Sequence, residues 1–275
     1  MRKLLTADFL RIKKEKFFWI GILSMLAAGV YFPVIRYLDM KQSGYINILD
    51  QGFFACAPFV CVLIAVFCSL FIGTEYSDGT MRNKMIVGQR RTSVYLGHLA
   101  ASTAVSVLMC AAFCLPYLCI GIPLLGFFQA DLRLILLISV TVLILAAALT
   151  SIFTLVSMLC QNKAVTAVAC ILLAFAFLLA GILLNAMLDA PKTHAMYTLD
   201  ENNAPVLSEE PNPKYLEGTK REIVQTIYDI CPGGQAIQCV SLEVKNPVRL
   251  PLYSIGIILV TTGLGSFFFA RRDLK

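Results

Sequence analysis

The segment GTEYSDGTMRNKMIVGQRR, residues 73–91, lies between two long apolar segments and decides the fold. No Asp, Glu, Lys or Arg occurs in residues 51–74 or in residues 92–130. Each apolar segment can cross a bilayer as a helix, because about 20 residues at a rise of about 1.5 Å span the hydrocarbon core. The polar segment is therefore a short loop at one membrane surface, and its excess of Lys and Arg predicts the cytoplasmic side. Its size and organisation suggest a docking surface for another molecule.

The composition of the whole chain is that of a membrane protein. The 275 residues are 58% hydrophobic and 15% charged, with a mean hydropathy of +0.77, whereas soluble domains carry about 25% charged residues. Charge-free segments predict an all-α polytopic membrane protein with six transmembrane helices in a single transmembrane domain, residues 1–275. The predicted spans are residues 17–35, 51–74, 92–121, 134–162, 164–188 and 250–270.

The distribution of charge predicts the orientation. An even number of spans places both termini on the same side, together with residues 73–91 and 161–163. These segments carry most of the Lys and Arg residues and few of the acids, so both termini are predicted to be cytoplasmic in a multi-pass protein of the cell membrane. The net charge of +6 therefore reports topology and contact with anionic lipid, and it does not indicate nucleic-acid binding.

The first 16 residues have an amphipathic pattern. Leu5, Phe9 and Ile12 recur at helical spacing, and most of the basic residues lie on other faces. This pattern predicts an interfacial helix over residues 1–16. A disordered basic tail is the alternative.

The polar segment also has the signals of a short helix. A turn at Asp78 and Gly79 precedes Met81, good helix formers continue to Val87, and Gly88 offers a left-handed C-terminal position. The helix would lie beneath the membrane. Two interpretations remain open from the pattern alone: a solvated connection between two spans, or a docking surface.

Irregularities are predicted near the outer surface. Pro116, Gly121 and Pro123 predict a break in the third span. Residues 189–249 form one large extracytoplasmic loop, irregular in its first half and with a helix over residues 215–230 that ends at the Pro-Gly-Gly of residues 232–234. This helix either caps the bundle or covers the mouth of a pathway.

Ten cysteines are present, and eight of them lie within apolar segments as small hydrophobic residues. Cys231 and Cys239 lie in the large loop, where a disulfide between them is possible.

Catalytic motifs are missing from the sequence. His98 and His194 are the only histidines, and there is neither an HExxH motif nor a GxxxxGK[ST] phosphate loop. We therefore expect no catalytic residue, no metal site, no cofactor in this chain and no ATPase activity of its own, with His98 as an interfacial polar residue.

The predicted spans also lack ionisable residues at mid-membrane, which ion-coupled transporters use. Energy for transport would have to come from a partner.

Four features in order resemble the permease subunits of type-2 ATP-binding-cassette (ABC) exporters. They are the basic amphipathic start, the run EYSDGTMRNKMIVGQRRTSVYLGHL from Glu75 to Leu99, six spans with a large loop before the last, and FFFARRDLK from Phe267. The resemblance implies that residues 75–91, here called the coupling loop, dock on a separate ATPase subunit that binds ATP and Mg. By motif match the docking residues would be Glu75, Tyr76, Ser77, Asp78, Gly79, Thr80, Arg82, Asn83 and Lys84.

The same resemblance implies a second permease, as a homodimer or as a heterodimer with a paralogue. The substrate would be a peptide, a lipid-like molecule or a drug, and the direction of transport would be outward. A different class of function also fits the sequence: a non-transporting membrane adaptor, sensor or immunity subunit that binds its ligand at the extracytoplasmic loop.

Overall fold

The computed structural model describes residues 2–199 and 205–272, with side chains for residues 4–193 and 211–272. Its helices and strands follow in chain order: α1 Arg2–Ile12, α2 Lys16–Ser43, α3 Asp50–Phe53, α4 Cys56–Ser77, α5 Thr80–Ile86, α6 Arg91–Leu125, α7 Leu132–Leu159, α8 Lys163–Leu188, β1 Thr193–Leu199, β2 Pro205–Pro211, α9 Gly218–Ile230, α10 Pro232–Ser241 and α11 Arg249–Arg271.

Within residues 2–199 and 205–272, six helical segments are long and apolar enough to cross a membrane, which confirms the predicted number of spans. They are α2, α3 with α4, α6, α7, α8 and α11. The chain alternates between two ends of the bundle. We call the end that carries α1 and α5 the α5 end, and the opposite end the α9 end.

Helix α4 is the centre of the bundle. It packs against α6, α7 and α8, while α2 lies on α6 and α11 lies on α7. Its side chains at Ile64, Phe67 and Phe71 are almost completely buried, whereas most of α8 and α11 faces outward. In a bilayer the apolar outward faces contact lipid or another chain at no cost, so the amount of burial, and not hydrophobicity, distinguishes the central helix.

Helix α6 runs through Pro116 without a break, so the predicted interruption of the third span is wrong. A proline removes one backbone hydrogen bond, but a transmembrane helix tolerates this where neighbouring helices pack against it. Here Gly29 of α2 lies directly against the Pro116 ring and the Phe113 carbonyl. The helix ends only at Leu125, and Gly126 follows with a φ of 83°.

At the α9 end, the large loop is more regular than its sequence predicts. Strands β1 and β2 form an antiparallel hairpin with Thr193 opposite Pro211 and Leu199 opposite Pro205, where the sequence predicts irregular chain. The predicted helix is present as α9. Pro232, expected only to end it, also occupies the first position of a further helix, α10, where its missing N–H costs nothing.

Glycines allow α10 to pack into the bundle. A Cβ atom on Gly233 would collide with the Phe177 carbonyl oxygen of α8, and one on Gly181 of α8 would collide with the Gly233 backbone. The two backbones therefore approach as closely as glycines permit. Gln235 of α10 is fully buried and accepts a hydrogen bond from Ser254 of α11 at 2.5 Å. This contact ties α10 to the last span.

Cys231 and Cys239 are free thiols in the described structure, so the disulfide that the sequence allows between them is not formed there. Cys231 precedes the first residue of α10 and Cys239 lies within that helix. Eight residues at about 1.5 Å per residue place their Cα atoms about 12 Å apart, and a disulfide requires less than about 7 Å. Burial also raises the pKa of the Cys239 thiol to about 12, so almost no reactive thiolate forms at neutral pH.

We predict that the two cysteines remain unpaired under oxidising conditions. Purified protein that is alkylated in denaturant without reductant should carry one label on each of the two cysteines when analysed by mass spectrometry. A peptide pair joined through residues 231 and 239 would contradict the prediction.

Replacing Gly233 by Ala should destabilise the protein by about 2–3 kcal/mol, because the new methyl group overlaps backbone atoms of α8 that cannot move independently. Thermal unfolding in detergent measures the change. Gly256→Ala in α11 is the matched control, since a Cβ atom added there would have no other atom within 4 Å. Equal unfolding midpoints for the two variants would show that the contact between α8 and α10 is loose.

Candidate functional site

The coupling loop begins with a tight connection between α4 and α5. Helix α4 ends at Ser77, and Gly79 has a φ of 68°, in the left-handed region that glycine adopts without strain. The hydroxyl group of Thr80 donates a hydrogen bond back to the Glu75 carbonyl at 3.2 Å. Helix α5 then makes about two turns before Gly88, which has a φ of 83°. The short helix predicted within the coupling loop is present.

Glu75, on the last turn of α4, lies at the centre of a buried group of charges. Its carboxylate accepts a hydrogen bond from Lys84 Nζ at 2.7 Å and pairs with the Arg11 guanidinium. The Nε2 atom of His98 lies 3.0 Å from Glu75 Oε2. Glu75 is only 2% exposed. It therefore contacts the other parts of its own chain and has no surface to offer to a partner.

A second carboxylate, that of Asp8 on α1, completes the group. Lys84 Nζ lies 3.1 Å from Asp8 Oδ1, and His98 Nδ1 lies 3.6 Å from Asp8 Oδ2. Asp8 is 2% exposed and His98 is fully buried. We call Asp8, Arg11, Glu75, Lys84 and His98 the ion cluster. It joins α1, α4, α5 and α6 at one point, and its two carboxylates face two permanent cations.

Arg11 also anchors α1 to the aromatic core. Its guanidinium donates a hydrogen bond to the Phe71 carbonyl oxygen and lies 4.4 Å from the centre of the Phe71 ring. Glu15 lies 3.4 Å from Arg11 Nε, one turn further along the chain. The buried face of α1 is consequently Leu4, Asp8 and Ile12, and Phe9 of the predicted apolar face is 41% exposed. Because the charged residue Asp8 is buried on this side of α1, the buried face differs from the purely apolar face that the sequence predicts.

The residues predicted to dock divide into a buried and an exposed set. Glu75 and Lys84 belong to the ion cluster, and the Tyr76 hydroxyl donates to the Met158 carbonyl of α7 at 2.7 Å. Ser77, Asp78, Thr80, Arg82 and Asn83 are exposed, and Gly79 forms the turn.

Two residues of the exposed face are absent from the docking residues that the sequence predicts. Ile86, the last residue of α5, is 72% exposed, and Val87, which follows it, is 77% exposed; they lie one turn beyond Arg82 and Asn83. Met81 on the opposite face is buried. The available signal was the helical spacing of residues 82, 83, 86 and 87. We call these four residues the docking face.

The ion cluster also brings metal-binding residue types together. Possible ligand atoms of Asp8, Glu75 and His98 all lie within 4.8 Å of one another, although the sequence contains no metal motif and predicts no metal site. His98, expected as an interfacial polar residue, is instead fully buried. These residues are distant in sequence, so no local spacing reveals the group.

Two of the cavities towards the α9 end differ in the chemistry of their linings. One, of about 330 Å³, lies between α8, α9 and the segment before α11; Asn185, Arg221 and Tyr228 line part of it. There the Tyr228 hydroxyl donates to Asn185 Oδ1 at 2.7 Å. The other, of about 270 Å³, is lined by apolar and thiol side chains of α3, α4, α6 and α7, among them Phe53, Cys56 and Cys110.

Comparison with known families identifies a match that covers about two thirds of the chain. The family described as "ABC-2 family transporter protein" matches the chain over residues 4–186, from α1 into the last turn of α8. The matched part contains the ion cluster and the coupling loop. No curated protein matches the chain.

Replacing Glu75 by Gln should destabilise the protein by about 2–3 kcal/mol, because Arg11 and Lys84 then lose the carboxylate that compensates them both. Both cations keep some contact with water, which moderates the loss. Thermal unfolding measures the effect, with the exposed Asp78→Asn as the control, expected to change stability by less than about 0.5 kcal/mol. Equal stabilities would show that the ion cluster adds nothing to the fold.

Proposed function

The chain belongs to the ABC-2 transporter family as the membrane permease of an ABC transporter, and we propose that a separate ATPase subunit drives it through the coupling loop. This proposal rests on one observation: the two sides of helix α5 differ in their contacts. One side is held in the ion cluster, while the docking face is exposed. A short helix that is fixed on one side and free on the other is suited to receive force from a partner.

The chemistry of the docking face fits a protein groove. It combines Arg82 and Asn83 with the exposed apolar side chains of Ile86 and Val87. Exposed apolar residues flanked by polar ones are typical of protein interaction sites, and arginine is enriched among the residues that dominate interface energies. The proposed contact set therefore consists of residues 82, 83, 86 and 87 and no longer includes Glu75 and Lys84. Those two residues support the docking face from its inner side.

The ion cluster supports a rigid-body mechanism. Lys84 of α5 holds Asp8 of α1 and Glu75 of α4 at once, and Glu75 lies against His98 of α6. A displacement of α5 would then move α1 and the adjoining ends of two spans together, as in the helix movements that switch other proteins. The absence of charged residues from the middle of the sequence-predicted spans agrees with an external source of energy.

For the transported molecule we propose an amphipathic or lipid-like compound, a peptide or a drug, moved outward across the cell membrane with both termini cytoplasmic. The cavity of about 270 Å³ among α3, α4, α6 and α7 is apolar, which suits an apolar portion of such a substrate. A second permease, identical or paralogous, would complete the pathway. Family membership favours this function over that of a non-transporting adaptor.

Reversing one charge of the docking face tests the mechanism. Arg82→Glu should weaken the binding of the cognate ATPase about tenfold or more, because an interface arginine typically contributes more than about 1.4 kcal/mol. It should lower substrate-stimulated ATP hydrolysis of the reconstituted transporter in parallel. The assay would use the ATPase subunit that is encoded beside this permease or that co-purifies with it.

Lys214→Glu is the matched control, since Lys214 is exposed at the α9 end. We expect it to leave ATPase binding unchanged. Equal binding by the two variants, with both folded by thermal unfolding, would refute docking through this face. Retained binding with lost stimulation in Glu75→Gln would assign the ion cluster to transmission.

A further inference from the structure

The ion cluster contains the ligands of a metal site. Asp8 of α1, Glu75 of α4 and His98 of α6 each offer one ligand atom, and the three atoms lie within 4.8 Å of one another. Two carboxylates and one imidazole suit first-row divalent transition metals such as Zn²⁺. The three residues come from three different helices, so the arrangement is a product of tertiary packing.

The Lys84 ammonium group occupies the place that a metal ion would take. Its Nζ atom lies 3.1 Å from Asp8 Oδ1, 2.7 Å from Glu75 Oε1 and 3.3 Å from His98 Nε2. An ammonium group offers three donors and can face three ligands as a metal does. Zinc bonds to oxygen and nitrogen measure about 2.0–2.2 Å, so the three ligand atoms would move inward by about 0.5–1.3 Å.

Lys84 does not contact all the atoms of Asp8, Glu75 and His98 that could bind a metal ion. His98 Nδ1 is buried and has no hydrogen-bond partner in the described structure, and buried Glu75 Oε2 has only the contact of 3.0 Å with His98 Nε2. A metal on Nε2 would require the neutral imidazole with its proton on Nδ1, and Nδ1 already faces Asp8 Oδ2 at 3.6 Å. Such a contact from the second ring nitrogen to a carboxylate is usual for metal-bound histidine. A bound metal would thus give the unpartnered Nδ1 atom of His98 a role as a hydrogen-bond donor to Asp8.

The Lys84 side chain has a way out of the cluster. Its side chain is 19% exposed, and its helix α5 lies at the surface. A four-carbon side chain can move its charge into water while its methylene groups stay packed. Arg11 would remain beside Glu75, so the two carboxylates would face one guanidinium and the divalent ion.

We propose that Asp8, Glu75 and His98 bind a divalent transition-metal ion in exchange for the Lys84 ammonium group. The exchange is coordination only: the metal ion enters, the lysine side chain leaves, and no covalent bond changes. Bound metal releases α5 from α1, α4 and α6 and so uncouples the docking face from the spans. This last consequence rests on the proposed function, whereas metal binding itself does not.

The test uses the full-length protein in phosphatidylglycerol nanodiscs, without any ATPase. Binding of Zn²⁺ is measured by calorimetry and binding of Co²⁺ by its visible absorption. We expect one ion per chain, and about tenfold tighter binding or more in Lys84→Met, because expulsion of the ammonium group no longer opposes the metal. The absorption bands should be those of oxygen and nitrogen ligands, without the intense thiolate band that binding to cysteines would give.

His98→Gln in the Lys84→Met background should abolish this binding, and His194→Gln in the same background should leave it intact. Thermal unfolding with and without Zn²⁺ is the second readout, since a ligand that binds only the folded state raises its stability. The inference is overturned if Lys84→Met binds no tighter than the unaltered protein, if binding survives His98→Gln, or if the spectrum shows thiolate ligands. The uncoupling is tested separately, by adding Zn²⁺ to the transporter reconstituted with its ATPase. If the isolated protein binds metal but substrate-stimulated ATP hydrolysis is unchanged by Zn²⁺, only the uncoupling is refuted.

Discussion

Compensation of the Glu75 carboxylate is the interaction on which the arrangement at the α5 end depends. An unpaired charge buried at this depth would cost several kcal/mol, so the protein must supply cations and hydrogen-bond donors. It takes Arg11 from α1, Lys84 from α5 and His98 from α6. Each partner belongs to a different helix, and meeting this one requirement therefore fixes the positions of α1, α5 and the start of α6 relative to α4.

The need to compensate the buried carboxylates also explains why one side of α5 is buried and the other is exposed. Lys84 must point inward to reach the two carboxylates, and the helical repeat then turns residues 82, 83, 86 and 87 outward. The docking face is exposed because the opposite side is committed to the ion cluster. A partner that pushes on this face would act on four helices through charged contacts that are short and buried. A metal ion in place of Lys84 would keep three of those helices together and release the fourth.

Close backbone packing plays the corresponding part at the α9 end. Inside a membrane, apolar side chains gain nothing by leaving lipid for protein, so small residues that allow close approach hold the helices together. Gly181 and Gly233 place α10 directly against α8, and Gln235 bonds to Ser254 of α11. The bundle is thus held by backbone contact at one end and by charge at the other, and the sequence has no Asp, Glu, Lys or Arg within the predicted spans between the two ends.

The sequence by itself determined the six spans and the short helix between the second and third, because hydrophobic length and turn residues are local properties. It also determined the helix α9. The tertiary structure alone decided which residues of the coupling loop are buried, since Glu75 and Lys84 are polar in the sequence whether they face water or Asp8. It decided that α6 continues through Pro116, because Gly29 packs there, and that residues 232–234 begin a helix. The ion cluster joins residues far apart in the chain, so only folding brings its charges within reach of one another.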